Sequence, residues 1–460
     1  MNDQATTKHR FPTALRRAGP LGLALLIGAA SAQAATDLTL ASVLARLPAS
    51  PQWQQADLTL QSAQRDLEAA RAATGLTLGL GGGLTATTDF GDAGSGTTLT
   101  PSVNVIAGLN TLPWSSAQNT IRAAERGLAS ARAQQAETRA GLALTAAQQY
   151  FGARLATFDV TLAQRTLELR QRQLAAATAR RGLGNASSET VLSATADVQT
   201  AQTNVLSAQQ SLRQDLAALS TTLGVLLTDV NFTTAPQDPG APGDLNALLA
   251  RAGANRATVV AAAQSLSGAQ DSLATAQRDR RLPVITASVS YGTTFTGSLN
   301  FKTGATSTSF APALTDVALA SANAGRANAL ALGVAATYNI LDPVADAQIA
   351  SAQTQLSAAG VALGLARSTV DLDVRQRYAT LTGARAALGP SQTLLRAVQT
   401  TLNTVRAQFA AGSVTQTDVL SAEVNLESAQ RNLESALEAA QLAALALQNA
   451  QGLIAPGVLP

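Results

Sequence analysis

Hydrophobic residues along most of this chain recur in alternating steps of three and four. One such series is Val191, Ala194, Val198, Ala201, Val205, Ala208 and Leu212, and another is Val419, Ala422, Leu426, Ala429, Leu433, Ala436 and Ala440. A mean spacing of 3.5 residues is typical of helices packed along coiled-coil seams. No proline interrupts the chain between Pro113 and Pro236. A helix over 114–181 would be about 100 Å long, which favours coiled-coil packing over an ordinary helical bundle.

Between the helices the hydrophobic period changes from 3.5 to two. Apolar positions alternate with small or Thr, Ser and Asn positions over 76–90, 98–110, 284–300 and 328–341. Such tracts meet the roughly 9–11 residues of a strand that crosses a bilayer, with one face toward lipid and the other toward a lumen. A half-buried soluble sheet is the alternative, and the uncharged polar face disfavours it. Four strands cannot close a barrel, so the chain must oligomerise as a dimer, trimer or tetramer.

The chain contains one structural pattern twice. At an offset of 228 positions residues 184–194 align with 412–422, and Tyr150 aligns with Tyr378. Before the strands the offset is 206, which implies an insertion of 22 residues in the second repeat. We place it at 301–327, a Thr-, Ser-, Ala- and Gly-rich segment that has the composition of a long loop.

These patterns predict the boundaries of both repeats. The first, 35–230, contains a helix over 37–73, strands over 76–90 and 98–110, a long helix over 114–181 and a returning helix over 188–223. The second, 256–455, contains a helix over 256–281, strands over 284–300 and 328–341, a long helix over 344–411 and a returning helix over 416–450. A linker over 231–255 joins them, and Pro390 predicts a kink in the second long helix.

Residues 1–34 have the features of a secretory signal peptide. Basic residues precede an apolar run at 21–27, and Ala, Gln and Ala at 32–34 fit a cleavage site. The apolar run is too short to span a bilayer, although a retained anchor is the alternative. The sequence therefore predicts an exported protein.

Composition disfavours an enzyme. The sequence has no Cys, and its single His and single Met are His9 and Met1, within the predicted signal peptide. Thiol and imidazole chemistry and the corresponding metal sites are therefore excluded from the mature chain, and no cofactor is predicted. The formal charge of +3 comes from the leader, so the remainder is nearly neutral and no nucleic-acid-binding surface is expected.

Two repeats of this order behind a signal peptide resemble the TolC family of outer-membrane efflux proteins, and the tip sequence over 409–422 is similar to that family's second hairpin tip. The resemblance covers 37–455. It implies an α+β membrane protein in which a long α-helical coiled-coil barrel joins a transmembrane β-barrel, with four strands per chain and 12 in a homotrimer. It also implies an outer-membrane location, a periplasmic tunnel with an equatorial domain, and docking to a periplasmic adaptor protein and an inner-membrane pump.

The resemblance also assigns roles at the hairpin tips. It places the periplasmic aperture at Asp418, Ser421, Phe409 and Thr415, and adaptor docking at Gly184, Leu192, Gly412 and Leu420. Ser421 stands where the family has a second acidic residue, so the expected negative ring is halved. For Asp418 the alternative is an acid that only stabilises a helix N-terminus, and for the two glycines it is helix C-capping.

The predicted function is a passive exit duct for small molecules or proteins in a tripartite efflux or type I secretion system. A structural envelope stalk or adhesin anchored by a β-barrel is the alternative. Its strands would lie at the C-terminus, whereas here they are internal and duplicated. A soluble helical protein that binds a lipid surface is a third interpretation, and it would not need the strands.

Overall fold

The computed structural model describes residues 36–89, 96–109, 114–228, 230–291, 295–301, 305–310 and 330–452. Within them the helices are α1 Leu40–Arg46, α2 Pro51–Ala72, α3 Ser116–Gly182, α4 Ser188–Leu223, α5 Leu245–Asn255, α6 Ala257–Arg281, α7 Pro343–Ala386, α8 Leu388–Ala410 and α9 Gln416–Ala450. The strands are β1 Thr36–Leu38, β2 Thr77–Asp89, β3 Gly96–Leu109, β4 Val230–Phe232, β5 Val284–Tyr291, β6 Phe295–Asn300, β7 Ala305–Phe310 and β8 Leu330–Thr337. The predicted signal peptide lies outside the described residues.

The long helices form one layer with α3 near its middle. Toward the hairpin turns the order of contacting helices is α4, α3, α9 and α8, and toward the strands it is α2, α3, α6 and α7. The heptad positions lie in these seams: Val198 and Ala201 of α4 and Ala422 and Ala429 of α9 are buried. Small Ala side chains let neighbouring helix backbones approach closely, which explains why a chain with few aromatic residues packs this way.

The predicted helix over 37–73 is wrong. The chain forms β1, α1, a short 3₁₀ turn at Leu47–Ala49 and only then α2. Pro48 and Pro51 remove two backbone donors, and the buried hydroxyl of Ser50 accepts a hydrogen bond from the Trp53 N–H at 3.4 Å to start α2.

The second long helix is also interrupted. The prediction of one helix over 344–411 is wrong, because α7 ends at Ala386 and α8 begins at Leu388. Pro390 occupies the first turn of α8, where its missing N–H and its ring prevent the hydrogen bond that would continue α7. The interruption lies three residues before the proline that predicts it.

The largest buried cluster holds the linker against α3. β1 and β4 pair in parallel, with Thr36 opposite Val230. The fully buried Tyr150 of α3 donates a hydrogen bond to the Leu38 carbonyl at 2.9 Å and accepts one from the Thr234 N–H at 2.9 Å. Its ring also makes an edge contact with Phe232 at 5.2 Å. One side chain thus fixes both strands of this small sheet to the helix layer.

The linker then contacts the second repeat. The backbone N–H of Gln237 donates to the side chain of the buried Gln441 of α9 at 2.9 Å. Arg385, in the last turn of α7, donates to Asp238 at 3.0 Å. The linker, with α5 packed on α7, therefore ties both repeats together midway along the layer.

The remaining strands form one antiparallel sheet in the order β2, β3, β7, β6, β5, β8. The described sheet has six strands, so the expectation of four strands per chain is not confirmed. The tract 284–300 is a hairpin of two strands in which Tyr291 faces Phe295, and β7 lies within the predicted loop 301–327. Three residues separate Tyr291 from Phe295, so odd-numbered positions stay on one face and the alternating pattern conceals the turn. The predicted loop residues 311–329 lie outside the described residues.

None of the helices in the described ranges is long and apolar enough to cross a membrane.

Replacement of Tyr150 by Phe should lower the free energy of unfolding by about 1–2 kcal/mol, because the partly buried Thr234 N–H loses its acceptor and the Leu38 carbonyl keeps only its bonds from Thr233. Guanidinium unfolding in detergent, followed by circular dichroism, measures the change. Tyr378→Phe is the matched control, since Tyr378 is the counterpart in the second repeat and its hydroxyl makes no hydrogen bond among the described residues. Equal effects of the two variants would contradict the assigned role of Tyr150.

Candidate functional site at the hairpin tips

Both helical hairpins turn with the same backbone geometry. Gly184 and Gly412 adopt left-handed φ values of +79° and +75°, a region that side chains disfavour. In the first turn the Asn185 N–H donates to the Arg180 carbonyl at 2.8 Å, and in the second the Ser413 N–H donates to the Gln408 carbonyl at 2.9 Å. These bonds satisfy carbonyls at the helix ends, so the two glycines are C-capping residues.

The returning helices also begin alike. The hydroxyl of Ser187 accepts from the Thr190 N–H at 3.1 Å, and that of Thr415 accepts from the Asp418 N–H at 3.3 Å. In α9 the cap is reciprocal, because the Asp418 carboxylate accepts from the Thr415 N–H at 2.8 Å and from its hydroxyl at 2.7 Å. Asp418 therefore has the capping role that was the alternative for it.

The Asp418 carboxyl nevertheless remains exposed and charged. The hydroxyl of Thr415, then its backbone N–H, and the positive charge of Arg180 hold the pKa of the Asp418 carboxyl below its usual range. The carboxylate therefore keeps its negative charge across the physiological pH range. Because Arg180 belongs to the first hairpin, its charge also couples the two tips.

The two tips enclose an open groove of about 800 Å³. Arg180 and Glu189 from the first hairpin line it, together with Asp197 higher on α4 and with Thr417 and Asp418 from the second hairpin. Three carboxylates and one guanidinium give the groove a net negative charge. Its shape and charge suit a polar, basic partner surface or passing cations.

The remaining predicted tip residues differ in accessibility. Phe409 and Thr415 are exposed and Ser421 is half-buried. Leu192 is 71% exposed, whereas its counterpart Leu420 is only 6% exposed. The reason is that α9 packs against α3, α7 and α8, while α4 packs chiefly against α3. Leu192 therefore lies on the surface of the chain, and Leu420 supports the tip from beneath.

Sequence reasoning missed two acids of the groove, Glu189 and Asp197. The alignment of the repeats carried a signal, because Glu189 aligns with Thr417 at the offset of 228, next to Asp418. Each tip thus bears one acid in the first turn of its returning helix, shifted by one residue.

A half-buried charge cluster lies higher on the seam between α3 and α9. Arg154 pairs with Glu434 at 2.6 Å and Arg431 with Asp159 at 2.8 Å. Glu438, one turn beyond Glu434, has no ion pair among the described residues. Burial, followed by repulsion from Glu434 and from Asp215 of α4, raises the pKa of Glu438 to about 7, although Arg431 opposes the shift. No group of three or more metal-ligating side chains occurs in the described part of the chain.

A sequence model of a family named "Outer membrane efflux protein" matches residues 45–225 and 248–453, most of the chain. The chain belongs to this family. The family and its structural neighbours are outer-membrane channels of efflux systems, so the protein is a transport protein and not an enzyme.

Solved structures show the same fold. VceC from Vibrio cholerae is 18% identical over 90% of this chain and 96% of its own, with a TM-score of 0.66. The CmeC outer membrane channel of Campylobacter jejuni is 13% identical over 90% and 85%, with a TM-score of 0.67. The open state of the MtrE outer membrane channel of Neisseria gonorrhoeae is 19% identical over 90% and 89%, with a TM-score of 0.64. Comparison with curated protein sequences found no significant match.

The Glu438→Gln variant should change the pH dependence of stability. The folded chain keeps the Glu438 proton up to about pH 7, whereas an ordinary glutamate releases it near 4.5. The free energy of unfolding that Glu438 contributes is therefore fully present below pH 4.5 and is lost as the pH rises from 4.5 to about 7. Above pH 7 the variant should be more stable than the native chain by about 1–2 kcal/mol, after allowance for solvent screening.

Guanidinium unfolding midpoints at pH 4.5 and pH 8 measure this difference. Glu68→Gln, at an exposed position of α2, controls for the removal of one negative charge. If the unfolding midpoints of the Glu438→Gln variant and of the native chain change equally between the two pH values, the raised pKa of the half-buried Glu438 is contradicted.

Proposed function

We propose that the protein is the outer-membrane exit duct of a tripartite efflux or type I secretion system, formed by three copies of the chain. The sheet crosses the outer membrane as part of a closed β-barrel, and the helix layer forms a tunnel in the periplasm. Small molecules or proteins pass through it passively. Energy comes from an inner-membrane pump, which a periplasmic adaptor protein joins to the tips.

The observation that carries this proposal is the exposed apolar face of the sheet. Leu80 on β2 and Leu332 on β8 are 79% and 76% exposed, although an antiparallel sheet in water normally buries its apolar face. On the opposite face, positions such as Thr286 and Ser288 are polar and uncharged. An apolar face toward lipid and a polar face toward a lumen is the arrangement of a transmembrane barrel strand.

Both edges of the molecule are uncovered in a single chain. At one edge of the helix layer α4 exposes Leu192 and Leu206, and at the other α7 exposes Val361 and Leu365. The sheet likewise ends in β2 on one side and β8 on the other. The two edges differ from each other, and both must be covered. This favours a ring in which identical chains associate head to tail. Three copies is the number that the family resemblance implies.

The tips provide the periplasmic end of the duct. In this proposal three copies of Asp418 form a negative ring at the aperture, with Thr415, Ser421 and Phe409 around it. The adaptor docks on the outer side, where Leu192 is exposed and where Gly184 and Gly412 shape the turns. Leu420 contributes by holding α9 in place rather than by direct contact.

Single-channel conductance in planar bilayers tests this function together with the role of Asp418. The native protein should insert and give stable steps that a trivalent cation blocks from the tip side. Asp418→Asn keeps an oxygen acceptor for the Thr415 cap but removes the charge. It should weaken the block about tenfold or more, since the lost attraction is on the order of 1–2 kcal/mol.

Asp66→Asn, at an exposed position of α2 far from the tips, is the control for lost charge and should leave the block unchanged. If both variants give conducting steps that the cation blocks equally, Asp418 does not lie at the aperture, and the proposed duct still holds. If folded protein does not insert at all, the duct is contradicted and the structural stalk is favoured.

A further inference from the structure

Three ion pairs join α3 to α9 between the linker and the hairpin tips. Each joins one residue of α3 to one of α9, and in order toward the tips they are Arg154–Glu434 at 2.6 Å, Asp159–Arg431 at 2.8 Å and Arg165–Glu427 at 3.6 Å. Positive and negative charges alternate along both helices. A shift of one helix by one pair would therefore place like charges opposite each other, so the pairs are satisfied in one register only.

The repeat places counterparts of these six residues at the two edges of the helix layer. At the offset of 228 positions, the counterparts of the α9 residues lie on α4 and are Leu206, Thr203 and Gln199. The counterparts of the α3 residues lie around the break between α7 and α8 and are Thr382, Ala387 and Thr393. All six counterparts are exposed in the single chain, and none of them carries a charge.

In the proposed ring these two uncharged edges meet. α4 of one copy lies beside α7 and α8 of the next copy, in the place that α9 occupies beside α3 within a chain. The first and second hairpins therefore alternate around the ring. Because the two repeats are similar, a second order is conceivable, in which α4 of one copy lies beside α3 of another and displaces α9.

That second order would leave the charges of the α3–α9 seam without partners. With α4 in the place of α9, Arg154 would face Leu206 at a position where the Arg154 side chain is only 15% exposed. With α9 against α7 and α8 of another copy, Glu434 would face Thr382. A charge that is removed from water without a partner is strongly unfavourable. The alternating order pairs each charge with an opposite charge and each uncharged position with another uncharged one.

We propose that these ion pairs set the order of the hairpins: the charged residues select the contact of α3 with α9, and their uncharged counterparts select the contact of α4 with α7 and α8 of a second copy. This inference rests on the ring of the proposed duct. Charged positions beside coiled-coil seams set partner choice and orientation. Specificity of this kind comes from penalties against the wrong partner as much as from attraction to the right one.

Photo-cross-linking identifies the helix that lies beside α4. A benzophenone amino acid replaces Gln210, which is exposed and lies one turn from Leu206 on the same side of α4. Covalent dimers from irradiated outer membranes are excised and digested with trypsin, so that only links between copies are analysed. In the alternating order the linked peptides come from 378–396. In the second order they come from 140–165 of α3.

Two variants of α4 differ only in the sign of three added charges. The first gives α4 the charges of α9 and consists of Gln199→Glu, Thr203→Arg and Leu206→Glu. The matched control has the opposite signs, which repel those of α3, and consists of Gln199→Arg, Thr203→Glu and Leu206→Arg. All three positions are exposed in the single chain, so both variants should fold. Leu206→Glu and Leu206→Arg repeat the comparison with one charge.

The native protein should link only to 378–396. The first variant should link to 140–165 as well, and the control of opposite sign should not. Equal linkage of the two variants to α3, or of neither, would overturn selection by charge. A benzophenone at Gln202 should give no dimers, because its counterpart Gln430 stays exposed although helices cover α9 on both sides. If native protein with the benzophenone at 210 gives no dimers either, the ring itself is contradicted, and with it the proposed order.

Discussion

The unpaired backbone groups at the two edges of the sheet impose the main constraint on this protein. β2 and β8 each leave one row of N–H and C=O groups without a strand beside it in the described sheet, and a bilayer offers no water to satisfy them. The helix layer has the same property, since apolar side chains on α4 and α7 are exposed at opposite edges. In the proposed duct, one closed ring of copies would satisfy the sheet and the helices at once. Closure of the ring would therefore cover the open edges of the sheet and the exposed apolar edges of the helix layer together.

Within one chain the two repeats are held together near the middle of α3. Tyr150 binds the strands of the linker, and Arg154 reaches both Phe232 of the linker and Glu434 of α9. The ends of the helix layer have fewer such contacts, and the tips are joined chiefly through the charge of Arg180 near Asp418. Glu438, half-buried in this central seam, has a pKa raised to about 7 by burial and by the nearby Glu434.

Features governed by local pattern could be predicted from the sequence. The heptads and the glycines at 184 and 412 indicate long helices with defined turns, because each depends on residues a few positions apart. The sheet was harder to predict, since the three-residue connection after Tyr291 keeps odd-numbered positions on one face and so hides the reversal of the chain. β7 has a Thr- and Ser-rich sequence that local reasoning assigns to a loop, and its pairing with β3 and β6 makes it a strand.

The candidate site likewise combines features that local sequence predicts with features that depend on tertiary contacts. Asp418 and Thr415 were assigned by the family resemblance, and the structure adds that the two residues cap the first turn of α9 reciprocally. The difference between Leu192 and Leu420 could not be predicted, since equivalent positions of a repeat have the same local sequence but different neighbours. The contact of α9 with three other helices buries one leucine, and the outer position of α4 exposes the other. Tertiary contacts of this kind cannot be predicted from the residues close by in the sequence.

A single-particle reconstruction of the protein in lipid nanodiscs tests ring closure most directly. The account predicts three chains around one axis, with β2 of each chain paired to β8 of the next and the α4 edge of each helix layer covered by its neighbour. A particle in which these edges remain open, or are covered by another part of the same chain, would contradict it.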